Sequence, residues 1–140
     1  MESSVMLSAQ RVEPVASKPS WPGRILSGLA VAFLLFDGVM KVPQPDFVQE
    51  AFNTLGYPAG LARGIGLLLI ACVAVHANPR TSFVGAVLLT GYLGGAVATH
   101  VRVGNPLFSH VLFPVYVAAM IWGGLYLREP RLRALLAPRK

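Results

Sequence analysis

Apolar residues occupy four long blocks of the chain, and short polar or proline-containing segments separate the blocks. Within each block the apolar residues are nearly continuous, without the alternation that is typical of a half-buried strand. A run of roughly 20 apolar residues is what an α-helix needs to cross a bilayer. The pattern therefore predicts an all-α fold, a four-helix transmembrane bundle with spans at about residues 22–42, 59–76, 80–100 and 107–127.

The segment between the first two spans is more polar but still periodic. Its apolar residues recur at helical spacing, at Phe47, Val48, Ala51, Phe52 and Leu55. Polar residues fill the positions between them, so one face is apolar and the other is not. This pattern predicts a short amphipathic helix that lies on the membrane face.

The turns and the two ends complete the predicted organisation. Asn78-Pro79 and Gly104-Asn105-Pro106 predict tight turns, and Pro114 predicts a kink inside the fourth span. Residues 1–20 lack an apolar period and are predicted to form a disordered cytoplasmic tail, and residues 129–140 a basic cytoplasmic tail. A signal peptide is the alternative for the first apolar block, but no small-residue cleavage site follows that block.

Composition supports a membrane protein over a soluble one. Of the 140 residues, 54% are apolar and only 13% are charged, about half the usual charged fraction. The net charge of +6 does not indicate nucleic-acid binding, because the basic residues lie in tails and loops and form no stripe with aromatic residues.

The basic residues predict an orientation. Four spans place both termini on one side, and that side carries nine of the twelve basic residues: Arg11, Lys18, Arg24, Arg80, Arg128, Arg131, Arg133, Arg139 and Lys140. The other side carries Lys41, Arg63 and Arg102. Because basic residues collect on the cytoplasmic side, we expect a multi-pass protein of the bacterial inner (cytoplasmic) membrane with both termini in the cytoplasm.

Small residues repeat every four positions in three places: Gly56, Gly60 and Gly64; Gly91 and Gly95; Ala119 and Gly123. Small residues at this spacing let membrane helices approach closely. The repeats therefore predict helix contacts, and they serve equally for contacts within the bundle and for a homo-oligomer.

Polar residues that fall near membrane depth are candidates for a ligand site. Asp37 and Lys41 are four residues apart and can pair on one helix face. The predicted topology gathers further polar residues at the same, outer end of the bundle, and the candidate ligand-binding set is Asp37, Lys41, Arg63, Tyr92, His100, Arg102 and His110. A polar pocket above an apolar bundle suits a lipophilic ligand with a polar head group. The alternative is a structural ion pair with interfacial side chains that meet lipid head groups.

Several kinds of chemistry find no support in the sequence. The single cysteine, Cys72, cannot form an intrachain disulfide or a cysteine pair for thiol exchange, and we interpret it as a packing residue. His76 lies at the opposite end from His100, so the two cannot share a small site. A haem or a metal ion bound by His100 and His110 is disfavoured. The sequence contains no nucleotide-binding or nucleophile motif. We therefore predict no metal.

One stretch carries a family resemblance. Residues 90–102 (TGYLGGAVATHVR), together with Asp37-Gly38-Val39-Met40-Lys41 and Leu55-Gly56-Tyr57-Pro58, resemble the DoxX-like family of small bacterial membrane proteins. The resemblance extends over about residues 22–136 and implies a four-helix membrane bundle. It implies an association with redox chemistry, including thiosulfate:quinone oxidoreduction in some relatives. Relatives often carry a glutamate in the second span, where this chain has Leu69.

These observations leave three functional hypotheses. The first is a redox-associated membrane protein that binds a quinone or a similar carrier, in which His100 donates a hydrogen bond and Lys41 and Arg102 stabilise negative charge. The second is a non-enzymatic subunit that anchors or assembles a membrane or redox partner protein. The third is a small transporter, which needs to oligomerise because four spans hold no inverted repeat of broken helices. The residues do not decide whether the protein is an enzyme.

Overall fold

The structure, a computed structural model, describes residues 20–138 and is all-helical over that range. The helices are α1 (Trp21–Lys41), α2 (Asp46–Thr54), α3 (Leu61–Ala77), α4 (Ser82–Arg102), a turn of π-helix (Leu107–Val111), α5 (Phe113–Arg128) and α6 (Pro130–Leu136). The predicted disordered tail lies outside the described residues, apart from Ser20. The predicted amphipathic segment does form a helix, α2, which buries Val48 and Phe52.

Three helical segments are long and apolar enough to cross a bilayer: Trp21–Lys41, Ser82–Arg102 and Leu107–Arg128. The apolar helix α3 has 17 residues, which corresponds to about 26 Å at the usual rise per residue. That length is slightly less than a typical hydrocarbon core. Helix α3 begins at Leu61, two residues later than predicted, because the left-handed Gly60 (φ 85°) precedes it as the cap.

The four apolar helices pack side by side in a ring. Helix α1 contacts α3 and α5, and α4 contacts the same two helices from the other side. Leu69, Leu89, Ile121 and Leu125 are almost completely buried at the centre. Many large apolar side chains face outward from the same helices, such as Phe36, which is 65% exposed. Apolar side chains on both surfaces are what a helix packed within a lipid environment requires.

The closest helix crossings use glycines that lie outside the predicted repeats. A Cβ atom on Gly66 would meet the Gly38 carbonyl at 2.7 Å, and one on Gly23 would meet the Gly124 carbonyl at 3.0 Å. At Gly85 an added Cβ would overlap the His76 backbone. Each glycine thus allows one crossing between neighbouring helices.

Four of the predicted glycines make no helix contact within residues 20–138. An added Cβ at Gly60, Gly64, Gly91 or Gly95 would have no atom of these residues within 4 Å. A contact with a second copy of the chain at these glycines stays a prediction. The spacing of small residues identifies a face that allows close approach, and whether another helix reaches that face depends on the packing of the whole ring.

Pro114 produces the predicted break in the last long segment. The π-helical turn precedes it, with Leu112 N–H donating to the Leu107 carbonyl at 2.8 Å, and regular helix resumes at Phe113. Proline has no N–H and its ring crowds the carbonyl four residues earlier, so the preceding turn widens. After α5, part of the predicted basic tail forms α6, whose Leu132 is 5% exposed and joins the core.

The ring has two ends, which we name after their histidines. The His76 end contains the start of α1, the α3–α4 turn and the end of α5. The His100 end contains the end of α1, helix α2, the start of α3, the end of α4 and the π-helical turn.

Candidate functional site

A cavity of about 350 Å³ opens at the His100 end. Helix α4 forms one wall, α3 and the segment after α2 form the others, and the end of α1 closes the site at Lys41. Most of the lining is apolar, with Phe52 and Leu68 among the side chains. Five side chains bring polar atoms to this lining: Lys41, Tyr57, Tyr92, Thr99 and His100. An apolar pocket with a few convergent polar groups is the usual form of a small-molecule site.

Glycines of α4 create the space. Gly91 and Gly95 lie one helical turn apart and both line the cavity, as does Ala96. Because these residues carry no side chain or only a methyl group, the α4 backbone itself forms the cavity wall. The glycine pair that the sequence predicts as a helix contact therefore serves here to keep a volume open.

A short hydrogen-bond chain fixes the polar side of the cavity. The Thr99 hydroxyl donates to the Gly95 carbonyl at 2.9 Å, and the Tyr57 and Thr99 hydroxyls lie 2.6 Å apart. Since the Thr99 proton is already used, Tyr57 is the donor to Thr99. This chain ties the segment after α2 to α4.

His100 is held in a defined orientation. The Asn105 side-chain amide donates to His100 Nδ1 at 2.7 Å. An amide nitrogen can only donate, so Nδ1 accepts, and the proton of the neutral imidazole lies on Nε2. His100 lines the cavity, and the turn at Gly104 (φ 71°) brings Asn105 back to its ring. His100 therefore has an N–H donor available for a ligand.

Asp37 and Lys41 form an ion pair one helical turn apart on α1, as the sequence predicts. The Lys41 side chain is 14% exposed and that of Asp37 is 38% exposed. Lys41 contributes to the cavity wall, whereas Asp37 lies on the side toward α2. The pair therefore neutralises a cation beside the cavity and leaves further N–H groups of Lys41 available.

The remaining candidates lie at the same end but outside the cavity. Arg63 Nε donates to the Val42 carbonyl at 3.0 Å, and Arg102 donates to the Leu55 carbonyl. Both guanidinium groups thus hold connecting backbone. His110 packs edge-on against His100 with ring centroids 5.7 Å apart, and its Nδ1 lies 2.8 Å from the Ser109 hydroxyl.

A second cavity, of about 450 Å³, lies between α1 and α2. We call it the aromatic groove, and its apolar walls come from Phe33, Phe36, Met40, Phe47, Val48 and Ala51. Asp37 is on its edge. Lys41 and Phe52 line both the groove and the cavity at the His100 end.

The His76 end holds a different polar cluster, which sequence reasoning missed. His76 is fully buried, and its Nδ1–H donates to the Ser82 carbonyl at 2.9 Å. Arg128 donates to the Ser82 hydroxyl at 2.6 Å. These bonds join α3, α4 and α5. His76 and Ser82 are close in the sequence, on either side of the α3–α4 turn, but Arg128 is 46 positions from Ser82, so its contact has no signal in the sequence.

Two other residues matter for interpreting the site. Cys72 is a buried free thiol in the core, as its apolar surroundings predict. Leu69, the second-span position that the resemblance singles out, is also fully buried in the core. In residues 20–138 no group of three histidine, cysteine, aspartate or glutamate side chains could hold a metal ion.

The helix lengths and the outward-facing apolar side chains are those of an all-helical protein suited to a lipid bilayer. The model of the DoxX-like family matches residues 25–124, and the chain belongs to this family. The match includes most of α1 and all of α4, which carry the ion pair and the glycine wall of the cavity. Searches of curated proteins and of solved structures found no significant match.

Proposed function

We propose that this protein is a four-span membrane protein that binds a quinone-like lipophilic carrier at the His100 end. Both termini lie in the cytoplasm, and the cavity opens toward the outer side of the inner membrane. The charge distribution supports this orientation, because most basic residues flank the His76 end.

The observation that carries the proposal is the cavity itself. Its apolar walls suit a ring, and the Nε2–H of His100 can donate to a carbonyl oxygen on that ring. Tyr92 and Lys41 provide further N–H or O–H groups in the same space. A ligand with a flat apolar body and oxygen acceptors matches this arrangement better than a charged, water-soluble metabolite, which would leave most of the apolar wall uncompensated.

The proposal is tested by titrating the protein, purified in mild detergent, with decylubiquinone, and by native mass spectrometry for carrier retained during purification. We expect saturable binding, and we expect His100→Ala to weaken it about tenfold through loss of one buried hydrogen bond.

Tyr116→Ala is the control. Tyr116 is 47% exposed and lines neither cavity, so binding should be unchanged. Absence of saturable binding, or equal affinities for wild type and His100→Ala, would contradict the proposal and favour the non-enzymatic anchoring role.

A further inference from the structure

The cavity at the His100 end and the aromatic groove are neighbours. Lys41 and Phe52 line both. The Phe52 ring also packs against Tyr57, with ring centroids 5.4 Å apart. Phe52 and Lys41 therefore lie between a volume with several polar lining residues and one whose charged lining residues are only Asp37 and Lys41. Both are side chains with rotatable bonds.

The two volumes differ in chemistry. The cavity at the His100 end presents hydroxyl, imidazole and ammonium groups. In the aromatic groove the side chains of Phe33, Phe36 and Met40 line one wall and Phe47 lines the other. Phe36 and Phe47 are 65% and 60% exposed, so the groove is open along its length. An open apolar groove on a bilayer-facing surface can receive a hydrocarbon chain without displacing protein side chains.

The direction of the groove fits an amphiphile. Phe33 lies two helical turns before Lys41 on α1, which places it about 12 Å closer to the middle of the helix. The groove thus runs from the polar end of the ring toward its centre. A lipid-soluble carrier in a bilayer also places its head group near the surface and its chain toward the midplane.

We propose that the aromatic groove binds the hydrocarbon chain of the same ligand whose head group occupies the cavity at the His100 end. The inference rests on the proposed function and narrows the ligand class to carriers with a long alkyl or isoprenoid chain. Phe52 lies at the junction of head group and chain. The ligand reaches the site sideways from the bilayer, through the open groove between α1 and α2.

The test compares two probes on one set of variants. The probes are decylubiquinone and the same dimethoxy-methyl benzoquinone head group without its chain. In the double variant Phe36→Ala, Phe47→Ala we expect decylubiquinone to bind about tenfold more weakly, because two apolar contacts with the chain are lost. Binding of the chainless head group should not change. Each comparison measures one ligand with the different variants. The partition of that ligand into detergent is therefore the same for every variant and does not affect the ratio of affinities.

Phe83→Ala is the matched control, because Phe83 is 50% exposed and lines neither cavity. It should leave both affinities unchanged. If the double variant binds both probes as wild type does, the groove holds only bulk lipid and the inference is overturned while the proposed function stands. If the double variant weakens the binding of both probes equally, the groove does not contact the hydrocarbon chain specifically, and the inference is again overturned. If neither probe binds the wild-type protein, the proposed function fails and the inference fails with it.

Discussion

The two ends of the helical ring each carry a histidine, yet they use it in opposite ways. At the His76 end the imidazole is fully buried, bonded to the Ser82 carbonyl and packed where α4 crosses α3. At the His100 end the imidazole lines an open cavity and keeps its Nε2–H available. The comparison shows that the neighbouring helix decides whether a histidine near a helix terminus is buried in a helix crossing or lines a cavity.

The difference between the two ends follows from what packs against the glycines of α4. Gly85 faces α3 so closely that an added Cβ would overlap the His76 backbone, whereas an added Cβ at Gly91 or Gly95 would meet no atom of residues 20–138 within 4 Å. The same residue type therefore allows a helix crossing at Gly85 and lines a cavity at Gly91 and Gly95. Two backbones in contact leave no room for a ligand, and a glycine without a neighbour leaves a volume that a ligand can fill.

The largest expected difference in stability between the two ends is that between Gly85→Ala and Gly95→Ala. Gly85→Ala forces the α3 and α4 backbones apart and should lower the free energy of unfolding by about 3 kcal/mol or more. Gly95→Ala meets no atom and gains helix propensity, so it should change stability by less than about 1 kcal/mol. Denaturation by a graded SDS titration in mixed micelles measures both. Equal losses of unfolding free energy at the two positions would contradict the different roles of Gly85 and Gly95.

The two histidines should give a smaller but still distinct pair of effects. His76→Ala leaves the buried Ser82 carbonyl without its donor and opens a void, and it should cost about 2 kcal/mol of stability. His100→Ala removes a half-buried side chain beside an existing cavity and should cost less than about 1 kcal/mol. The same SDS titration checks both variants. A His100→Ala loss as large as that of His76→Ala would assign His100 a structural role.

The smallest expected difference between a variant and its control concerns the hydrogen bond between Tyr57 and Thr99. Tyr57→Phe removes that bond and should lower stability by about 1 kcal/mol. Tyr116→Phe is the control, because Tyr116 is 47% exposed on the outside of α5. Thermal unfolding in detergent should show a lower midpoint for the first variant and no change for the second. Identical midpoints for both variants would mean that this bond does not help to hold α2 against α4.

Most helix boundaries could be predicted, and the cavity could be predicted only in part. Apolar run length and proline positions locate α1 and α4 within one or two residues, because bilayer thickness and the missing proline N–H act locally. The Asp37–Lys41 pair is likewise a local, one-turn contact. By contrast, Tyr57 was not among the predicted site residues, since its partner Thr99 is 42 positions away.

The sequence by itself determined an all-helical chain of membrane-type segments, its family, and the end at which the polar candidates gather. These features depend on spacing along one helix and on the solvent that each run prefers. Only the tertiary structure decided that Arg63 and Arg102 hold backbone, that Gly91 and Gly95 line a cavity, and that His76 and Ser82 close the opposite end. Those outcomes depend on which helix lies opposite each side chain, and the packing of the whole ring sets that.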